Sequence, residues 1–97
     1  MSYLRRVADE IRAQLPRKAV PADSEDLFLV YALLALVKGD SVTAEDVHNA
    51  WVAWMEMRKE THESMVPFGE LPRIIRAEDD PFVTAIRAVA SRHRATK

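Results

Sequence analysis

The stretch from Leu27 to Val37 constrains the fold more than any other part of the sequence. Its eleven residues contain no charged side chain, and their one polar side-chain group is the hydroxyl of Tyr31. A helix that is apolar on every side is normally buried, whereas a surface helix keeps a polar stripe. The stretch is shorter than the roughly 18 to 20 apolar residues that cross a membrane. We therefore predict a central helix wrapped by the rest of the chain, and no membrane association.

The length and the charge of the chain limit its organisation and its location. Its 97 residues suit a single domain, residues 1–97, with the motifs discussed below between residues 43 and 94. The chain has no cysteine, so it forms no disulfide and no thiolate metal site. Four of its first ten residues are charged, where a signal peptide would have an apolar run. These features favour a cytoplasmic location.

The first helix is predicted from the spacing of its apolar residues. Five residues recur on one side of a helix: Leu4, Val7, Ala8, Ile11 and Leu15. Pro16 disfavours a helical conformation at the residue before it, so the helix should end near Leu15. With Pro21 following, we expect the segment between the two prolines to be a short extended linker.

The second and third helices are predicted from their end signals. Asp23 or Ser24 should cap the start of the second helix, and Lys38 followed by Gly39 is a typical end. Thr43, with Asp46 three residues later, has the pattern of a capping box at the start of the third helix. The short link between them should fold the third helix back across the second.

The last third of the chain combines a loop with a final helix. Residues 61–72 contain two prolines and one glycine, which predicts an ordered loop rather than a long regular element. A single helical turn is expected at residues 73–77, and Asp80 followed by Pro81 should begin the last helix, with Asp80 as its cap. The predicted fold class is all-α, with four main helices and an ordered proline-rich loop between the third and the last.

Several chemical functions are disfavoured by the residues present. The turn after Gly39 lacks the regularly spaced oxygen ligands of a calcium loop. The third helix carries four acidic residues against Arg58 and Lys59, so nucleic-acid binding through it is unlikely. The three histidines lie in different elements without metal-ligand spacing, and no serine or cysteine stands in a nucleophile motif. We therefore predict no catalytic residue, no metal and no cofactor.

Three aromatic residues allow both a structural and a functional interpretation. Trp51 and Trp54 are neighbours on one side of the third helix, where they either pack in the core or form the edge of a pocket that stacks a planar ligand. His62 either hydrogen-bonds to backbone or acts as an acid or base. The sequence alone leaves these alternatives open.

A resemblance to a known family covers about half of the chain, from Glu45 to Val89. Its most specific part is the run Val-Pro-Phe-Gly-Glu-Leu-Pro, which is similar to the Leu-Val-Pro-Tyr-x-Glu-Leu-Pro motif of the ryanodine-receptor repeat, or RyR domain. The matching positions are His48, Trp51, Thr61, His62, Val66, Pro67, Phe68, Glu70, Leu71, Pro72 and Asp80. The chain also resembles small RyR-like proteins of actinobacteria and their phages.

The resemblance implies a regulatory, non-enzymatic module that binds a small nucleotide-type ligand. In this interpretation an aromatic ring stacks on a base while arginine contacts phosphate. The ligand-binding residues expected are Trp51, Trp54, Arg58, His62, Phe68 and Arg73. The residues expected to shape the motif are Val66, Pro67, Glu70, Leu71, Pro72 and Asp80.

Two further expectations concern protein partners. RyR repeats resemble tandem pairs about a pseudo-twofold axis, whereas this chain holds one copy. Because four short helices can leave its apolar second helix partly uncovered, we expect a homodimer formed through the second or first helix. The alternative function is that of a helical, accessory interaction protein, in which the RyR-like motif is purely structural and the partner is another protein.

Overall fold

A computed structural model describes residues 2–95, which form an all-α fold with no strand in the described range. The helices are α1 (Tyr3–Ala13), α2 (Glu25–Lys38), α3 (Ala44–Met57), the short α4 (Arg73–Ala77) and α5 (Asp80–Ala95). The fold class predicted from the sequence is confirmed. The four main helices and the single turn at residues 73–77 are where the sequence signals place them.

The helix α2 lies at the centre of the fold, in contact with α1, α3 and α5. Phe28 and Ala32 are fully buried, and Tyr31 is almost so. The side of α2 that faces away from these three helices remains open: Leu33, Leu36 and Val37 are 52%, 41% and 71% exposed. The prediction that the chain wraps this helix is therefore wrong for this side, whereas the expectation that the helices of one copy leave part of it uncovered is met. Three covering helices leave one side free, and residues spaced three and four apart share that side.

The helix-end signals on either side of the α2 to α3 link act as predicted. Gly39 ends α2 with a positive φ of 61°, a conformation in which a glycine is not strained. The amide of Asp46 donates to Thr43 Oγ1 (3.2 Å), and the amide of Thr43 donates to Asp46 Oδ2 (2.9 Å). This reciprocal pair is the expected capping box.

Two predictions near the start of α2 are confirmed only in part. Ser24 is the cap residue of α2 by position, as predicted, but its hydroxyl donates to the carbonyl of Pro21 (2.6 Å) and accepts no bond from the helix amides. The linker is not extended throughout but contains a 3-10 turn at Arg17–Ala19, in which the amide of Ala19 donates to Pro16 (2.9 Å). Proline lacks an N–H group but keeps a carbonyl that accepts this bond.

The start of α5 differs from the prediction by one residue. Asp80 is the first residue of the helix and not its cap. The carbonyl of Asp79 instead accepts from the amides of Phe82 and Val83, each at 3.1 Å. Because three acidic residues stand in a row here, the pattern could not show which of them precedes the helix.

The loop of residues 61–72 is held against the helices at several points. It contains a 3-10 turn at Phe68–Glu70, and Leu71 is buried in the protein.

Elsewhere in the fold, Arg87 Nε of α5 donates to the carbonyl of Val42 (2.7 Å), which ties the last helix to the link between α2 and α3. None of the helices in residues 2–95 has the length and apolar character needed to span a bilayer.

Candidate functional site

One cavity, of about 220 Å³, brings together aromatic side chains from α2, α3, α5 and the 61–72 loop with acidic side chains from the turn between α4 and α5. Its aromatic residues are Tyr31, His48, Trp51, His62 and Phe82, and its acidic residues are Glu78 and Asp79. Pro21, Leu27, Ser64, Leu71 and Ile75 complete the lining. At about 30 Å³ for each water, the volume equals roughly seven waters, which suits a small organic molecule. We refer to it below as the aromatic–acidic cavity.

The rings around this cavity are set at angles to one another. The Trp51 and His62 ring centroids are 5.4 Å apart with an interplanar angle of 83°. Tyr31 and Phe82 are 5.7 Å apart at 46°. Such tilted and edge-to-face pairs are favourable for aromatic rings. They make the rings walls of a pocket instead of a single stack.

Hydrogen bonds fix the orientation of both histidines. His48 is 3% exposed, and its Nε2 lies 2.6 Å from the carbonyl of Val66. Because a carbonyl only accepts, this nitrogen carries the hydrogen and ties α3 to the loop. His62 Nδ1 accepts from the amide of Ser64 (3.0 Å), which leaves the Nε2–H of the neutral ring as its donor. Of the two interpretations of His62, the backbone-bonded one is observed.

The acidic side of the cavity is electrostatically unusual. Burial raises the pKa of Asp79 to about 6; His48 opposes this rise, while Glu78 and Asp80 add to it. Burial, followed by the charge of Asp79, raises the pKa of Tyr31 well above its usual value. None of the described residues that line the cavity is a lysine or an arginine. The cavity therefore favours positive charge in anything that enters it.

Of the six residues expected to bind a ligand, two line the aromatic–acidic cavity, Trp51 and His62. Trp54 is 6% exposed and packs in the hydrophobic core. The guanidinium of Arg58 lies over the Trp54 indole at 4.4 Å, and Arg58 Nη1 donates to the carbonyl of Asp23 (3.1 Å). Trp54 and Arg58 are thus placed together, but away from the cavity.

Phe68 and Arg73 lie in a separate, shallower groove with Ala44, Arg76, Ala77 and Asp80. The Arg76 guanidinium is 5.9 Å from the centre of the Phe68 ring. A nucleotide-type ligand that uses these arginines would occupy this groove and not the aromatic–acidic cavity. That ligand remains a prediction.

Sequence reasoning missed Tyr31, Asp79 and Phe82 as cavity residues. Tyr31 belongs to the apolar stretch that was interpreted as core, and Phe82 to the inner face of α5. Asp79 stands between two other acids, and only the turn before α5 brings it toward α2 and α3. The raised pKa of a half-buried carboxyl in a pocket is the signal that identifies it.

Metal binding and nucleophilic catalysis have little support in the described part of the chain. No group of three or more histidine, cysteine or acidic side chains there is placed to hold a metal ion. Ser64, the serine that lines the cavity beside His62, contacts that histidine through its backbone amide.

A family described as a domain of unknown function, DUF7701, matches residues 2–91. The chain belongs to the DUF7701 family. No curated protein and no solved structure matches it. The RyR resemblance is therefore corrected, because the DUF7701 match spans almost the whole chain whereas the resemblance rested on a short proline motif and scattered positions.

In this DUF7701 member the residues of the proline motif have packing roles that explain the misleading similarity. Leu71 is buried, the carbonyl of Val66 accepts from His48, and the amide of Glu70 donates to the carbonyl of Pro67 (2.9 Å). Pro72 directly precedes α4. Prolines around a buried leucine suit any loop that closes a helical core, so the motif does not identify a family.

Proposed function

We propose that this DUF7701 domain is a non-catalytic binding module whose site is the aromatic–acidic cavity. The observation that carries the proposal is the placement of a half-buried carboxyl, Asp79, among aromatic rings in a cavity large enough for a small ligand. Ligand sites are typically concave and mostly apolar, with a few placed polar groups.

The energetics of Asp79 support this interpretation. A carboxylate that the fold partly removes from water opposes folding unless it is compensated. Its pKa shows that the described surroundings of Asp79 do not fully compensate its charge. Groups that cost stability in this way are concentrated at functional sites.

The two tryptophans of the chain provide a direct test by nuclear magnetic resonance. With ¹⁵N-labelled protein, a library of small fragments is titrated while the two indole N–H signals are followed. Trp51 lines the cavity and Trp54 packs in the core beneath Arg58, so Trp54 is an internal control. We expect fragments that shift the Trp51 signal and leave the Trp54 signal in place. A folded protein in which no fragment moves the Trp51 signal would overturn the proposal.

Adenosine monophosphate belongs in the same panel, because Phe68 and Arg73 share a groove with Arg76. If it shifts the backbone signals of that groove while the cavity binds no fragment, the ligand site is the groove. That outcome would support the nucleotide-type ligand and contradict the cavity proposal.

A second candidate function, protein interaction, is favoured by the exposed apolar side of α2. Leu33, Leu36 and Val37 are large, apolar and adjacent on one helix face. We propose a second copy of this chain as the partner, with the two α2 helices antiparallel. A twofold contact of this kind places the same three side chains of both copies against each other, so each apolar surface covers the other.

A further inference from the structure

We infer that the ligand of the aromatic–acidic cavity is a small organic cation, such as an ammonium group carrying short alkyl substituents. This inference rests on the proposed function, since it assigns a chemical class to the same site. Three properties of the cavity carry it: the arrangement of the rings, the charge of the lining and the volume.

The rings provide surfaces of the kind that attracts cations. A cation is stabilised when it lies within about 6 Å of the centre of an aromatic face, and tryptophan and tyrosine are the better partners. Trp51, Tyr31 and Phe82 come from three different helices and line one cavity, so a bound cation can contact more than one of them. Two ring pairs line the cavity, Tyr31 with Phe82 at 46° and Trp51 with His62 at 83°, so the ring surfaces are not parallel and suit a rounded group better than a flat one.

The charge of the lining separates cations from other ligands. Glu78 and Asp79 are the acidic residues of the cavity; its described lining contains no lysine or arginine, and of its two histidines His48 acts on the charge of Asp79. An anion such as a phosphate would meet these carboxylates without an arginine to hold it. A neutral ligand would add nothing to the partial compensation that His48 gives the half-buried charge of Asp79, whereas a cation adds to it.

The volume limits the size of the cation. A space of about 220 Å³ accepts a trimethylammonium group with a short tail but does not enclose a whole nucleotide. His62 lies at the exposed side of the cavity with an Nε2–H group as donor, so the tail of the ligand can end in a hydroxyl.

The test compares choline with 3,3-dimethylbutan-1-ol, which has the same shape with carbon in place of the charged nitrogen. Affinities are measured at pH 7.5 by titration calorimetry and by the shift of the Trp51 indole signal. We expect choline to bind about tenfold more tightly than its neutral analogue or better, because only the cation interacts with the ring faces and with Asp79.

Variants assign this charge preference to the cavity. Asp79→Asn keeps the shape and should lower choline affinity about fivefold to tenfold while leaving the neutral analogue unchanged. Glu56→Gln removes an exposed acid of α3 outside the cavity and should leave both ligands unchanged.

The outcomes distinguish the inference from the function on which it rests. If both compounds shift the Trp51 signal with equal affinity, the cavity is a binding site but its ligand is not selected by charge, and the inference fails alone. If choline binds but Asp79→Asn does not weaken it, the assignment to this carboxyl is wrong. If neither choline, nor its neutral analogue, nor any compound of the fragment panel shifts the Trp51 signal, both the inference and the proposed function fail.

Discussion

Asp79 lies immediately before α5, and its half-buried carboxyl shares a cavity with Tyr31 and His48. Its pKa is raised from 3.8 to about 6, so the folded protein holds a proton there that the unfolded chain has already released between these two values. The stability of the fold should therefore fall as the pH rises through this range. The Asp79 carboxylate thus lowers the free energy of unfolding at neutral pH, as expected of a side chain that serves binding at the expense of stability.

The stability cost of Asp79 can be measured directly. Asp79→Asn should raise the free energy of unfolding at pH 8 by about 1 kcal/mol, an estimate reduced because the carboxyl is only half buried. At this chain length that corresponds to about 4 to 8 °C in the melting temperature. Near pH 3, where the carboxyl is protonated in both states, the two proteins should melt together. The backbone carbonyl of residue 79, which accepts from Phe82 and Val83, is unchanged in this variant, so the start of α5 is preserved.

Thermal unfolding followed by circular dichroism from pH 3 to pH 8 provides this comparison, with Glu56→Gln as the control. The control Glu56→Gln should show no gain in melting temperature over the wild type that grows with pH. A variant that is less stable than the wild type at pH 8 would mean that the Asp79 carboxylate stabilises the fold, contrary to this account.

At the scale of elements, the loop of residues 61–72 depends on α3 for its position. The bond from His48 Nε2 to the carbonyl of Val66 joins residues 18 apart in the chain, and His48 is buried. The loop in turn carries His62 and Ser64 to the cavity. A change at His48 should therefore loosen the loop before it unfolds the helices.

His48→Leu tests this anchoring role. Leucine cannot donate to the carbonyl of Val66, and an unpaired buried carbonyl lowers the free energy of unfolding by about 1 to 3 kcal/mol. Hydrogen exchange followed by mass spectrometry should show faster exchange in residues 61–72 than in the wild type, with a smaller effect in α1. Asn49→Leu, an exposed neighbour on the same helix, is the control and should leave the loop unchanged. Equal protection of the loop in His48→Leu would contradict the anchoring role.

The elements could be predicted because their signals are local. The Thr43 and Asp46 capping box, Gly39 after α2 and Pro81 in the first turn of α5 act through neighbouring backbone groups, so spacing along the chain is sufficient. Ser24 shows the limit of such signals. It has the right residue type for a cap, but it reaches the carbonyl of Pro21 instead.

At the scale of the whole molecule, the cavity could not be predicted because it depends on packing. Tyr31, Trp51 and Asp79 come from three separate segments, and no periodicity relates them. Trp54 and Arg58 are suitable residue types for a ligand site, yet they pair with each other. Which side of α2 stays uncovered could not be predicted for the same reason, since an apolar sequence does not show where the covering helices will lie.

Self-association through α2 is the prediction that belongs to this scale. An interface centred on Leu33, Leu36 and Val37 is small compared with the roughly 800 Å² per partner of a standard interface, so the dimer should be weak. We expect the mass measured by sedimentation to rise from 11.0 kDa toward twice that value at high micromolar concentration.

Leu33→Lys should keep the protein monomeric, whereas Ile74→Lys, which changes a 79% exposed residue on α4, should not. A wild-type protein that remains monomeric at high micromolar concentration would contradict the homodimer. Equal loss of association in both variants would show that the contact is not through α2.

The central claim, that the cavity binds an organic cation through Asp79, is tested most directly by the protons released on binding. Calorimetric titration of choline at pH 6, in two buffers of different ionisation enthalpy, measures this release. Because Asp79 has a pKa of about 6 and a bound cation favours its charged form, we expect release of up to about half a proton, and a clearly smaller release in Asp79→Asn. Binding with no proton release, or with the same release in Asp79→Asn, would contradict the account.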